Sequence, residues 1–147
     1  MQIYLACTVR GDRGAVAALR TLVASLERAG HAVLTKHLLD DNVEGAESAL
    51  TERAVYERDI AWLEGCDVLI ADGSGSSFGV GFEVGYVLGR SDRTDQRVVL
   101  LYRADRRDQI SRLIVGNGHP RCETLSYEDG SDLPRLDGAA LAADRRT

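Results

Sequence analysis

Five short runs rich in apolar residues, with amphipathic helical stretches between them, restrict this chain to a narrow set of folds. The runs cover residues 2–7, 32–37, 67–71, 97–103 and 121–127. Strands this apolar, alternating with helices, point to a mostly parallel sheet covered by helices on both faces. After the first run, Val16, Leu19, Val23 and Leu26 recur at three- and four-residue steps, which places them on one helix face. Gly30 follows as a helix terminator. The pattern predicts a second helix from about 48 to 64, closed by Gly65, a third over about 80–90, and a short one over 107–115. Residues 38–47, with Asp40-Asp41-Asn42, read as a polar surface loop. The tail from Asp129 to Thr147 is polar and alanine-rich, with part of it compatible with helix, and no segment repeats.

At 147 residues the chain reads as one domain, residues 1–147. Its 44% apolar content supports a core and excludes a disordered chain. No apolar run approaches the roughly 18 residues of a membrane helix. The opening Met1-Gln2-Ile3-Tyr4 lacks the basic stretch of a signal peptide. Three cysteines (Cys7, Cys66, Cys122) and three histidines (His31, His37, His119) show no disulfide or metal-ligand spacing. Reduced thiols in a cytoplasmic protein are the expectation. The formal net charge of −5 argues against a broad nucleic-acid-binding surface, but it leaves room for a small anion held by a few converging donors.

In such sheets ligands bind beyond the carboxyl ends of the strands. Three segments therefore matter: the loop after the first strand, the second helix near the third strand, and the loop after the third strand. The last is rich in Gly and Ser, runs from Asp72 to Gly79 and opens a helix. Backbone N–H groups at a helix start bind anions without a formal positive charge, and Gly79 and Gly81 allow close approach. The spacing is not the dinucleotide fingerprint, and an ordinary connection remains the alternative. Glu83 is the lone acid on an otherwise apolar helix, which makes it either a helix-start acid favoured by the dipole or a group held in a cleft. Tyr56, Asp59, Ile60 and Leu63 share a face of the second helix by their spacing. An aspartate on such a stripe must be paired, either by a nearby Arg or by a function. Two carboxylates roughly 5 Å apart suit retaining glycosyl transfer, one as nucleophile and one assisting the leaving group. Thr8, Arg10 and Gly11 offer phosphate-binding donors, or merely a capped helix start. By pattern alone, Tyr4 is a core strand residue and His37 a satisfied polar one. Gly81, Gly85 and Gly89 form a stripe on the third helix. Either tight packing on the sheet or a two-fold contact with a second subunit would account for it.

Taken in order, these segments resemble a known family. Tyr4-Leu-Ala-Cys-Thr8-Val-Arg10-Gly11, Thr35-Lys-His37, Asp59-Ile-Ala-Trp62-Leu-x-x-Cys-Asp67-Val, Ser77-Phe-Gly-Val-Gly-Phe-Glu83-Val-Gly85 and Ser111-Arg-Leu-Ile-Val-Gly116 are similar to the 2'-deoxynucleoside 5'-phosphate N-hydrolases, which belong with the nucleoside 2-deoxyribosyltransferases. The resemblance spans about residues 2 to 127. It implies an α/β fold, a doubly wound five-stranded parallel sheet of flavodoxin/Rossmann-like type. The implied activity is cleavage of the N-glycosidic bond of nucleoside monophosphates to free base and sugar 5-phosphate, with no metal or organic cofactor. Glu83 would be the nucleophile that forms a glycosyl-enzyme intermediate, Asp59 would assist at the leaving base, and Tyr4 would lie near the reacting sugar. The phosphate would be held by Thr8, Arg10, Ser77 and Ser111, with Gly11 and Gly79 in the same loops. Ser111 would reach the neighbouring site of a homodimer, and His37 would lie near the base. The chain departs from the family pattern at Thr8 (usually Ser) and at Cys7 and Asp12 (commonly Gly). Asp12 adds a negative charge beside the phosphate loop.

Two other functions compete. A deoxyribosyltransferase would pass the sugar to a second base, but a nucleoside substrate would leave the phosphate donors unused. A nucleotide-binding module without turnover would gain nothing from two neighbouring acids.

Overall fold

In the computed structural model, residues 1–133 are described. β1 (Gln2–Ala6), β2 (Ala32–Val33), β3 (Val68–Asp72), β4 (Arg97–Arg103) and β5 (Cys122–Tyr127) form a single sheet in the order β2-β1-β3-β4-β5. Every adjacent pair is parallel. The helices are α1 (Val16–Arg28), α2 (Val43–Glu47), α3 (Glu52–Gly65), α4 (Phe78–Leu88) and α5 (Arg112–Val115). Two 3-10 helices cover Lys36–Leu39 and Ala104–Gln109.

Side chains alternate across a strand, and β1 uses both faces. Ile3 and Leu5 pack with Leu19, Leu22 and Leu26 of α1. Tyr4 and Ala6 point the other way, to Leu63 of α3 and to Val80, Val84 and Val87 of α4. This alternation turns the fully buried Tyr4 ring towards α4. The strand order reverses between β1 and β3, so the crevice beyond their carboxyl ends is where this architecture places ligands.

Several local expectations need correction. The second strand is only Ala32–Val33 and does not extend to residue 37. Thr35 is the cause: its Oγ1 accepts from Leu5 N at 2.8 Å and donates to Leu5 O at 2.6 Å. One side chain thus replaces the next strand partner of Leu5, and the chain turns away into a 3-10 helix. Residues 38–47 are not a surface loop, because Leu38, Leu39 and Val43 are core residues and α2 ends the segment. The second helix starts at Glu52 rather than near 48, capped by Thr51 Oγ1, which accepts from Ala54 N at 3.2 Å. Tyr56 shares its helix face with Asp59, Ile60 and Leu63 but is 51% exposed, so the apolar stripe is buried only towards its Leu63 end. The expected helix over 107–115 is split at Ile110, whose extended backbone (ψ 144°) separates a 3-10 helix from α5. Cys7 and Cys66 are buried free thiols, and Cys122 is half-buried. Among the described residues no helix is long and apolar enough to cross a membrane. The expected partial helix in the tail falls beyond Leu133 and lies outside the described residues.

Candidate active site

The crevice at the β1–β3 switch point is a cleft of about 400 Å³ whose walls include Arg10, Asp59, Ser77, Gly79 and Glu83. Each comes from a segment that the fold brings to the carboxyl edge of the sheet: the β1–α1 loop, the exit of β3 with the start of α4, and α3.

Glu83 sits beside the buried Val80–Val84–Val87 face of α4 and meets Tyr4 across the cleft floor. Tyr4 Oη donates to Glu83 Oε1 at 2.6 Å. Burial pushes the Glu83 carboxyl up to about 7, with the nearby Asp59 charge adding to the rise and the Tyr4 hydrogen bond opposing it. Burial likewise pushes the Tyr4 phenol up, reinforced by the Glu83 charge, so it remains a donor. A carboxylate kept poorly solvated but hydrogen-bonded on one oxygen has the chemistry to act as a nucleophile or as an acid–base group.

Asp59 projects from α3 into the same cleft. Its Oδ1 accepts from Arg58 Nε at 2.8 Å. Arg58 in turn grips Glu47 of α2 with both terminal nitrogens, at 3.0 and 3.2 Å, and lies over the Trp62 ring at 5.0 Å. Glu47 Oε1 also pairs with His37 Nε2 at 3.2 Å. His37 therefore stands behind Glu47, in an adjoining groove with Glu27 and Lys36, and does not line the cleft itself. Glu47 and Arg58 escaped the sequence reading, since neither sits at a spacing that marks it. Only the Arg next to Asp59 hinted at a pairing.

At the other end of the cleft, Ser77 caps α4 by accepting from Val80 N at 3.5 Å. The first N–H groups of a helix have no intrahelical acceptor, and Gly79 among them lines the cleft. Arg10 is 84% exposed and, among the described residues, is paired with Glu44 alone, at 3.4 Å. So exposed a pair is weak, which leaves the guanidinium able to exchange partners. Gly11 has φ +138°, a conformation reserved for glycine, and a Cβ there would stand 3.1 Å from Thr8 Cγ2. Thr8 lies beneath the cleft, its Oγ1 buried against Gly75 with no hydrogen bond among the described residues. Asp12 is neutralised by Arg106 at 3.3 Å and Arg103 at 3.9 Å, so its charge is directed away from the phosphate end. Arg13, also missed by sequence, ties this loop down by donating to Thr8 O and Leu38 O, at 3.0 and 2.9 Å.

Ser111 is not brought to the Glu83 cleft. It lines a second, apolar depression of about 550 Å³ with Phe78, Phe82 and Leu113, and Ser77 and Val80 form the wall between the two. No group of three or more His, Cys, Asp or Glu among the described residues could hold a metal ion.

The profile of the nucleoside 2-deoxyribosyltransferase family matches residues 3–131. The chain belongs to the nucleoside 2-deoxyribosyltransferase family. Within that family it groups with the 2'-deoxynucleoside 5'-phosphate N-hydrolases. A relative from Thermofilum pendens with the provisional name 2'-deoxynucleoside 5'-phosphate N-hydrolase 1 is 41% identical over 138 residues, covering 93% of each chain. The 5-hydroxymethyl-dUMP N-hydrolase of Danio rerio is 31% identical and covers 88% of each. Among solved structures, a CMP N-glycosidase of Clostridium botulinum has the same fold, with a TM-score of 0.67, 18% identity, and 93% and 98% of the two chains covered. The nucleoside 2-deoxyribosyltransferase fold thus carries in this chain a cleft lined by Asp59 and Glu83 together with Arg10 and the start of α4.

Proposed function

We propose that this protein hydrolyses the N-glycosidic bond of (2'-deoxy)nucleoside 5'-monophosphates, releasing the free base and the sugar 5-phosphate. One observation carries the reading: a hydrogen-bonded, poorly solvated Glu83 shares a cleft with Asp59, opposite a helix start and Arg10. Glu83 in its ionised form attacks the anomeric carbon. The C–N bond breaks, its electron pair leaves with the base, and Asp59 assists at the departing nitrogen. Water then attacks the glycosyl-enzyme ester, giving sugar 5-phosphate and free Glu83. Tyr4 holds Oε1 and leaves the second oxygen for attack. Arg10, Ser77, the N–H groups around Gly79 and the Gly11 turn receive the phosphate. Thr8 contributes once its buried hydroxyl is turned to the ligand. His37 acts on the base end only through Glu47. The relatives' names, which specify a nucleotide N-hydrolase and a CMP N-glycosidase, support this assignment.

The active form in this reading is a homodimer. Phe78 is 100% and Leu113 83% exposed around the apolar depression that holds Ser111. A Cβ on Gly81 or Gly85 would meet nothing within 4 Å. Tight packing on the sheet therefore does not explain Gly81 and Gly85, whereas a second copy seated on them would. Covering each such side chain contributes about 1.5–3 kcal/mol, and the contact would bring Ser111 towards the neighbouring phosphate.

The test is incubation with a panel of ribo- and deoxyribonucleoside monophosphates and nucleosides, with and without acceptor bases, and chromatography of the released base. Release from monophosphates without an acceptor is expected. Release only when an acceptor base is present would establish the transferase instead, and tight binding without release would establish a binding module. Sedimentation of the wild type against Phe82→Asp tests the dimer, which the substitution should dissociate.

A further inference from the structure

Arg58 has no role in the chemistry just described, yet its placement is unusual. Adjacent residues on a helix diverge by about 100° and do not normally face each other. Here the Arg58 side chain bends back so that Nε reaches Asp59 Oδ1 at 2.8 Å. Three further contacts hold that bend. Trp62, one turn on, lies under the guanidinium plane at 5.0 Å, and Glu47 forks both terminal nitrogens at 3.0 and 3.2 Å. The Arg58, Glu47 and Asp59 side chains are only 22%, 18% and 25% exposed, so the pairs are shielded well beyond an ordinary surface bridge. Burial alone would weaken the charge on Arg58, but the hydrogen bonds it donates to Glu47 and Asp59 outweigh it, and the guanidinium stays protonated.

We propose that Arg58, anchored by Glu47 and Trp62, is the positioning residue for Asp59: it fixes Oδ1 and thereby aims Oδ2 at the base-bearing end of the substrate. The inference rests on the hydrolase reading. A carboxylate has two equivalent oxygens and two rotatable bonds, so an unheld Asp59 would sample several orientations, of which few meet a departing nitrogen. A rigid planar donor that binds one oxygen removes that freedom, and Arg supplies such a donor where Lys does not. The anchor comes from α2, the segment that the sequence reading took for a loop. Chain outside the classical strand–helix units therefore sets the angle of an acid on α3.

A double-mutant cycle tests it, with single-turnover base release as the readout. Arg58→Met keeps an apolar stem on Trp62 and removes the donors. It is expected to lower kcat about 30-fold with KM within about threefold, the scale of a small misplacement of a reacting group. In the Asp59→Asn background the same substitution should cost less than about threefold, because the group that Arg58 aims is already gone. Glu47→Gln, a milder change for folding, should lower kcat about tenfold with the same loss of effect beside Asp59→Asn. Equal losses in both backgrounds, or a loss confined to KM, would overturn the proposal. If Arg58→Met fails to fold, the Glu47→Gln cycle decides by the same criterion. A wild type that releases no base from any monophosphate removes the hydrolase reading and this inference with it. That result is distinct from a working hydrolase whose turnover ignores Arg58.

Discussion

Replacing Tyr4 by Phe isolates one hydrogen bond at the centre of the site. Tyr4 Oη donates to Glu83 Oε1 at 2.6 Å inside a largely buried environment. The bond favours ionised Glu83 and opposes the burial that raises its pKa to about 7. A hydrogen bond to a charged group is worth about 1.5–3 kcal/mol, and one pKa unit corresponds to 1.36 kcal/mol. Removing the bond therefore moves the Glu83 pKa up by about 1–2 units. The nucleophile must be ionised, so the acid limb of kcat/KM reports this pKa in the free enzyme. The wild type should show a limb near pH 7, and Tyr4→Phe a limb near 8 to 9 by that hydrogen-bond scale. For a shift of about 1.5 units, the ionised fraction at pH 7 falls from about half to about 3%, a loss of roughly 15-fold that is largely restored by about pH 9.5. Any further, pH-independent drop measures the part Tyr4 plays at the sugar. The assay is base release from a deoxynucleoside monophosphate at limiting concentration across pH 5–10. A limb that stays in place while the plateau falls would refute the claim that Tyr4 tunes Glu83.

Three other perturbations follow from the same geometry. Glu83 binds its proton more tightly folded than unfolded, so its contribution to stability is full below its unfolded value of 4.5 and is lost as pH rises through about 7. Glu83→Gln should thus raise stability at pH 8 by about 3 kcal/mol relative to wild type, with the gap closing by pH 4.5; urea melts at the two pH values check it. Arg10→Ala removes an exposed guanidinium at the phosphate end and should cut kcat/KM for monophosphates about 10- to 100-fold, mainly through KM, leaving any nucleoside cleavage nearly unchanged. Gly75→Ala would bring a Cβ onto the Thr8 hydroxyl, 2.7 Å from Thr8 Cβ and 3.0 Å from Asp12 O. About 1–3 kcal/mol of overpacking should lower Tm by about 3–10 °C in a calorimetric scan.

The parallel sheet was legible because its central strands are apolar on both faces; β4, expected over 97–103, is Arg97–Arg103. Glu83 and Asp59 stood out because acids are anomalous on the apolar surfaces around them. Legibility stopped where a side chain replaced backbone pairing. The hydroxyl of Thr35 ends β2, and no strand pattern encodes that exchange. It also stopped where the relevant contact spans elements. Tyr4 looks like any core strand residue until α4 is laid across β1, and the Glu47–Arg58 fork depends on a 3-10 helix and α2 that a polar composition disguised. Ser111 stands in the same motif order as Thr8, Arg10 and Ser77 but lies on the far side of the Ser77–Val80 wall, so the phosphate role proposed for it requires a second copy.

The decisive step of the proposed mechanism is covalent attachment of Glu83 to the sugar. Its most direct test is peptide mapping by mass spectrometry after acid quench of the enzyme turning over a deoxynucleoside monophosphate. A deoxyribose 5-phosphate adduct is expected on the peptide containing Glu83 and not in Glu83→Ala. Steady release of base with no adduct at any quench time, and undiminished turnover by Glu83→Ala, would contradict it.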